Sequence, residues 1–308
     1  MKNNMKTEMT VKEAALLKLQ EDSNLTYKQI VNKAKLLELE LPEMAYELDR
    51  VVAKLEERDE FSDINLKAEF DQVLKIMQDS VKHGLAKESE LKTMPGDYAT
   101  KCHKSELFKD LEGVAFGAAL AVVYHSARHG TVAAAPTCGS AGVLPGVLYA
   151  FKEVNGVSSA RILDALKVAA IGGLIAFKRG SVSGAKAGCG AEMGIAAIMA
   201  AMAAAWLLEC TPEEIGNAGA FAGTMFPGLE CSPEKGRVEY PCILRNGFAT
   251  GIAIKAAKLA KSGASPKYSI EDVVLRIFAT GACLPVELRE TESGLWMKQM
   301  VDKYLKCA

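Results

Sequence analysis

Three cysteines fall in glycine-rich links of a chain that is otherwise apolar around them. Cys189 sits in Gly188-Cys-Gly-Ala-Glu192, Cys231 in Gly228-Leu-Glu-Cys-Ser-Pro233, and Cys242 in Glu239-Tyr-Pro-Cys-Ile-Leu-Arg-Asn246. They lie 42 and 11 residues apart. Structural zinc sites take their cysteines in close pairs, and none of the eight cysteines has such a neighbour. Three well-separated thiolates on loops or helix edges suit an iron–sulfur cluster better than zinc. Buried, inert cysteine is the competing reading, since Cys is among the most buried residue types.

The elements that must position these thiols are helical. The chain has 308 residues, 49% hydrophobic and 24% charged, which excludes wholesale disorder. Aromatic residues make up only 6%, while Ala and Gly crowd the middle of the chain. That mix favours closely packed helices over a strand-rich core. Helical spacing is explicit in Ile30, Val31, Ala34, Leu37 and in Ala45, Leu48, Val51, Val52, Leu55, with Pro42 between two helices. A further helix is expected over residues 65–82, and a connecting loop over 84–104. Composition changes near residue 110. Helices are then expected near 107–128, 142–153, 160–178, 191–209, 212–225, 243–262 and 270–282. Thr211-Pro-Glu-Glu214 supplies a cap, a first-turn proline and first-turn acids. Three glycine-rich links remain: 136–142, 180–190 and 227–246. The predicted fold is all-α: a helical N-terminal region, 1–104, appended to a helical core with Gly-rich loops, 105–308.

Net charge is −1, which argues against nucleic acid as a partner. A helix-turn-helix reading of residues 10–57 meets the same objection, and a helical appendage is preferred. The N-terminus lacks a signal-peptide core, and the uncharged run 130–151 is interrupted by Pro136 and Pro145. The apolar run 193–208 is too short for a bilayer and reads as a buried helix. The expectation is a cytoplasmic protein with no membrane partner, whose cysteines need a role other than disulfides.

Pro136-Thr-Cys-Gly-Ser-Ala-Gly-Val-Leu-Pro-Gly146, Ser181-Val-Ser-Gly-Ala185, Gly188-Cys-Gly-Ala-Glu192, Pro241-Cys-Ile-Leu-Arg-Asn246 and Leu288-Arg-Glu-Thr291 occur in that order. Together they resemble the α-subunit of the iron–sulfur-dependent L-serine dehydratases, from about residue 107 to 296. The resemblance implies a [4Fe–4S] cluster held by Cys189, Cys231 and Cys242, with one iron left open as a Lewis acid for the β-hydroxyl of serine. It implies deamination of that amino acid to pyruvate and ammonia. Thr137, Ser140, Ser181 and Ser183 are then candidates for hydroxyl hydrogen bonds, and Lys186 or Arg245 for the substrate carboxylate. The duller roles are helix caps for Thr137, Ser181 and Ser183, and a helix C-terminus for Arg245. Cys307, one residue from the end, resembles a tail cysteine that caps the open iron in single-chain relatives.

Departures bear on the substrate. Arg179-Gly180 stands where the family usually has Asn-Ala, Gly190 where it has Gln, Ser232 where it has Asp, and Cys138 where Asn or Ala is usual. Threonine, cysteine or another β-substituted acid is the alternative substrate. The β-portion's Ser-Ser-His-Thr motif is missing, which implies a separate β-subunit. His125 and His129, placed on one helix four residues apart, make an incomplete metal pair. Two rivals stand outside this class. One is a pyridoxal-phosphate lyase using Lys186, although no strand precedes its loop. The other is a non-enzymatic iron–sulfur redox sensor.

Overall fold

Thr10, Thr26, Thr211 and Ser269 each stand three residues before an acid or amide, and each closes a capping box at a helix start. The cap oxygen accepts the third residue's N–H, and that residue's side chain returns to the cap's own N–H. Two donors that a helix end would leave orphaned are thereby satisfied. Pro212 occupies the first turn behind Thr211, as the sequence predicts.

The structure, a computed structural model, describes residues 10–55, 63–86, 97–231 and 241–291, with 294, 299 and 302 beyond them. In order, the α-helices are α1 (Val11–Glu21), α2 (Tyr27–Leu36), α3 (Leu41–Leu55), α4 (Asp63–Ala86), α5 (Tyr98–Lys104), α6 (Leu111–Ala127) and α7 (Val143–Asn155). They continue as α8 (Ser159–Arg179), α9 (Gly184–Cys189), α10 (Ile195–Leu207), α11 (Pro212–Gly223), α12 (Cys242–Lys261) and α13 (Ile270–Ala282). No strand occurs among the described residues, so the fold is all-α.

Helix α10 is the axis of the core. Its alanines, methionines and isoleucines are buried on every side, with Trp206 half-buried near the end. Small side chains let α7, α8, α11 and α12 close around it. With α9 and the π-type turn Gly190–Gly194, it makes a helical stretch, Gly184–Leu207, that is long and apolar enough to cross a membrane. In its most apolar window, 94% is buried inside the protein. The N-terminal helices enter the same core: Leu16, Ile30 and Leu48 belong to one buried cluster with Ile198 and Met202. Polar clasps fix them there. Tyr27 donates to the Pro212 carbonyl at 2.7 Å, and the Arg179 guanidinium donates to the Leu25 carbonyl and the Asn24 side chain, both at 3.2 Å.

Two expectations need correction. Part of the supposed loop 84–104 is helix: α4 runs to Ala86, and α5 forms because Ala99 and Cys102 bury themselves against Leu120 and Tyr124 of α6. Residues 87–96 lie outside the described set. His125 and His129 do not share a helix face either. Helix α6 ends at Ala127, His129 takes a left-handed φ of 62°, and the Gly130 N–H closes the turn onto the His125 carbonyl. His125 instead stacks on His83 with ring centroids 5.3 Å apart.

One carboxylate strains this fold. Burial, reinforced by Glu69, raises the Asp49 carboxyl to about 6. A raised acid favours folding where it is protonated, and that advantage is lost as pH rises from the ordinary carboxylate range through 6. Asp49→Asn should therefore stabilise the protein by roughly 1–2 kcal/mol at pH 7.5 and change little near pH 4. Urea unfolding of both chains at the two pH values measures the difference; equal gains at both would assign the effect to something other than the charge.

Candidate active site

The three cysteines of the glycine-rich links come from separate elements and meet in the interior. Cys189 is the last residue of α9, Cys242 the first of α12, and Cys231 lies in the link between α11 and α12. All three are buried, free thiols. The chain leaves helical geometry at Ala187 and Gly188 to deliver Cys189. Gly188 has a φ of 68°, and a Cβ there would stand 2.8 Å from the Leu229 carbonyl oxygen, so the position suits glycine alone. The Gly190 N–H then donates to that same carbonyl at 3.1 Å, stitching the Cys189 segment to the Cys231 segment. Cys231 is fixed in turn by its own N–H, which donates to the Leu288 carbonyl at 2.8 Å.

The thiols feel one another. Cys189 and Cys242 share a hydrogen bond, which lowers the first and raises the second; burial opposes ionisation of both. Burial, with the neighbouring Cys189 behind it, pushes Cys231 up to about 12. Arg245, three residues along α12 from Cys242, supplies the compensating charge. Burial works against its cation, yet Cys189 and Glu230 hold it charged. Its guanidinium donates to the Glu230 carbonyl at 2.7 Å and carboxylate at 2.9 Å, and reaches Cys189 as well. Among the described residues its hydrogen bonds go to no helix C-terminus; it clamps the Cys231 segment to α12.

A polar wall of hydroxyls and carboxylates adjoins the thiols. Thr137 donates to Glu192 Oε1 at 2.6 Å and lies 3.1 Å from the Ser140 hydroxyl, and it makes no side-chain cap. Burial raises Glu192 to about 7; the Thr137 hydrogen bond opposes the rise and Glu290 adds to it. Glu192 Oε2 and Glu290 Oε2 both face the bare side of Gly184, each 2.8 Å from where its Cβ would be. Asn246, fully buried, accepts the Gly142 N–H at 2.9 Å and donates to the carbonyls of Gly139 at 2.8 Å and Cys242 at 2.9 Å. It locks the Thr137–Ser140 turn to the start of α12.

Thr137, Ser140, Cys189, Cys231, Cys242 and Arg245 are thus brought together. Ser181 and Ser183 lie on the approach to α9, where the Ser181 hydroxyl accepts the Ser183 N–H at 3.1 Å and Ser183 makes no side-chain cap. Lys186 is exposed, and its carbonyl accepts from Arg289 at 3.2 Å. Cys307 lies outside the described residues. Sequence reasoning missed Glu192, Glu230, Glu290 and Asn246. Glu192 had a signal: it is the one charge between Lys186 and Glu209. Asn246 had a weaker one, a polar side chain one turn past Cys242 on an apolar helix.

Fold and site define an all-helical protein whose glycine-rich links converge on a buried three-thiol centre beside a carboxylate–hydroxyl wall. The family model described as serine dehydratase alpha chain matches residues 6–296, so the chain belongs to that family. The match takes in the N-terminal helices, where the motifs were least specific. The chain is 32% identical to the probable L-serine dehydratase alpha chain of Bacillus subtilis over 268 residues, 85% of this chain and 89% of that protein. It is 38% identical to the L-serine dehydratase of Streptomyces coelicolor, over 178 residues, and to L-serine dehydratase 2 of Escherichia coli, over 181. Each of those matches covers 57% of this chain and 39% of the relative, so it spans about two fifths of their length.

Proposed function

We propose that this chain is the α-chain of an L-serine dehydratase, deaminating L-serine to pyruvate and ammonia, with a [4Fe–4S] cluster on Cys189, Cys231 and Cys242 and a separate β-chain completing the site. The observation that carries the reading is the meeting of three buried thiols from three separate elements, in a chain of this family. Among the described residues, no three His, Cys, Asp or Glu side chains are set to hold a single metal ion. A cluster asks for something else, because each of its thiolates binds a different iron. Buried thiols on three segments tied to one another by hydrogen bonds, with one clamped cation beside them, fit that demand.

Bound there, the cluster supplies Lewis acidity toward the β-hydroxyl of the substrate. The chain's own residues do the rest. Arg245 is held by Glu230 and offsets negative charge at the thiols. Thr137 pins Glu192 Oε1 and leaves Oε2 turned toward Gly184. A carboxyl near 7 can hold or release a proton at neutral pH, which is the property a group next to an α-proton transfer needs. The names of the relatives support serine as substrate, and the alpha-chain description supports a partner chain that brings the remaining acid–base group.

Purification without oxygen, followed by iron, sulfide and ammonia assays with and without the β-chain, tests this reading. About four irons per chain, with ammonia released faster from L-serine than from L-threonine or L-cysteine once the β-chain is present, is the expected result. A fully loaded chain that releases no ammonia from any of them with its partner present would favour a redox sensor. Ammonia release by iron-free protein would remove the cluster from the chemistry.

A further inference from the structure

A cavity of about 780 Å³, lined by none of the thiols, lies between α1, α3 and α4 on one side and α7, α8 and α10 on the other. Its wall is mostly apolar, with Leu17, Val52, Val73, Leu174 and Met199 among its residues. That volume is in the range of sites for small organic ligands, which combine an apolar lining with a few placed polar groups. The charged groups of the lining are mostly acidic: Glu21, Asp49 and Glu69 against Lys178. Asp49 and Glu69 both line the cavity, and among the described residues no hydrogen-bond donor or cation meets the Asp49 carboxylate. Lys178 is the one cation of the described lining, and its ammonium is engaged with the Gln20 carbonyl.

A carboxylate held in a mostly apolar pocket, where no described donor or cation meets it, is costly, and its neighbour Glu69 adds repulsion rather than relief. An apolar chamber of this size also leaves its lining without packing partners. One kind of occupant answers both. We propose that the cavity binds an amphipathic amine, its ammonium against Asp49 and Glu69 and its apolar body along Val52, Val73, Leu174 and Met199. An anionic amphiphile meets repulsion at Asp49 and Glu69, and a neutral one leaves Asp49 unpaired.

Calorimetric titration of the full chain with n-octylammonium, n-octanol and n-octanoate tests the assignment, since the three probes share one apolar body. Octylammonium should saturate at one per chain and bind about tenfold more tightly than octanol, with octanoate weakest. Asp49→Asn should erase the preference for the amine while octanol binding persists, and Glu69→Gln should reduce it. Val52→Trp should weaken all three by filling the chamber. Equal affinities for the three probes, or an undiminished amine preference in both Asp49→Asn and Glu69→Gln, would overturn the proposal. The polar replacements keep side-chain shape, so the test stands even if the tryptophan variant fails to fold.

Discussion

Anaerobically prepared Cys231→Ala protein is expected to be colourless and to release ammonia from L-serine on the order of 10³-fold more slowly than the parent, the partner chain being present in both. The same outcome is expected for Cys189→Ala and Cys242→Ala, because each thiol is delivered by a different element and none can replace another. Cys231 is tethered through its backbone to Leu288, Cys189 through Gly190 to Leu229, and Cys242 through the first turn of α12. Cys210 and Cys138 are the controls. Cys210 is buried in the turn just after α10, with burial raising its thiol, and Cys138 is exposed beside Ser126. Alanine at either should keep the full iron content. A purely structural role for the three thiols predicts the opposite pattern: lowered stability with iron content and colour unchanged. Measuring iron per folded chain separates the two, since loss of folding alone does not alter that ratio.

Most of the helical frame was legible because its signals are local. Thr211-Pro-Glu-Glu214 gives a cap, a compatible proline and first-turn acids within four residues, and the structure closes a capping box there. Helix α10 could be read from an apolar run that allows no solvent face. Helix α5 was hidden because its reason is tertiary: Ala99 and Cys102 are ordinary residues until Leu120 and Tyr124 arrive to cover them. The site divides in the same way. Cysteines in glycine-rich links announce themselves, whereas Glu192 acquires its character from burial and from Thr137, 55 residues earlier in the chain. The family departures also gain physical content. Gly190 stands where a Cβ would be 2.5 Å from the Phe226 carbonyl oxygen, so a longer side chain there would require this backbone to shift. Arg179 binds the α1–α2 turn, so that departure serves the docking of the N-terminal helices.

Asn246→Ala is expected to cost about 2–4 kcal/mol of stability and to lower lyase activity even under conditions where the variant is folded. The side chain is fully buried and uses its amide in both senses, accepting from Gly142 and donating to Gly139 and Cys242. Removing it leaves the buried Gly142 N–H and the partly buried Gly139 carbonyl without these partners, and alanine cannot relieve the desolvation penalty, which is larger for the N–H. The Cys242 carbonyl is less exposed to the loss, since it lies at the start of α12 where the helix itself supplies a donor. The damage should therefore concentrate on the 139–142 turn, and so on Thr137 and Ser140 rather than on the thiols. Iron content is expected to stay near that of the parent while turnover falls. Asn246→Asp is the sharper comparison. It keeps an acceptor for the Gly142 N–H but loses both donations and sets a carboxylate against two carbonyl oxygens. If the amide matters through its donors, Asp should be no better than Ala; if accepting from Gly142 is what holds the turn, Asp should recover much of the stability. Chemical unfolding of the three chains, paired with iron analysis and ammonia release, distinguishes the cases. Wild-type turnover in Asn246→Ala would show that the turn holds its place without this clasp.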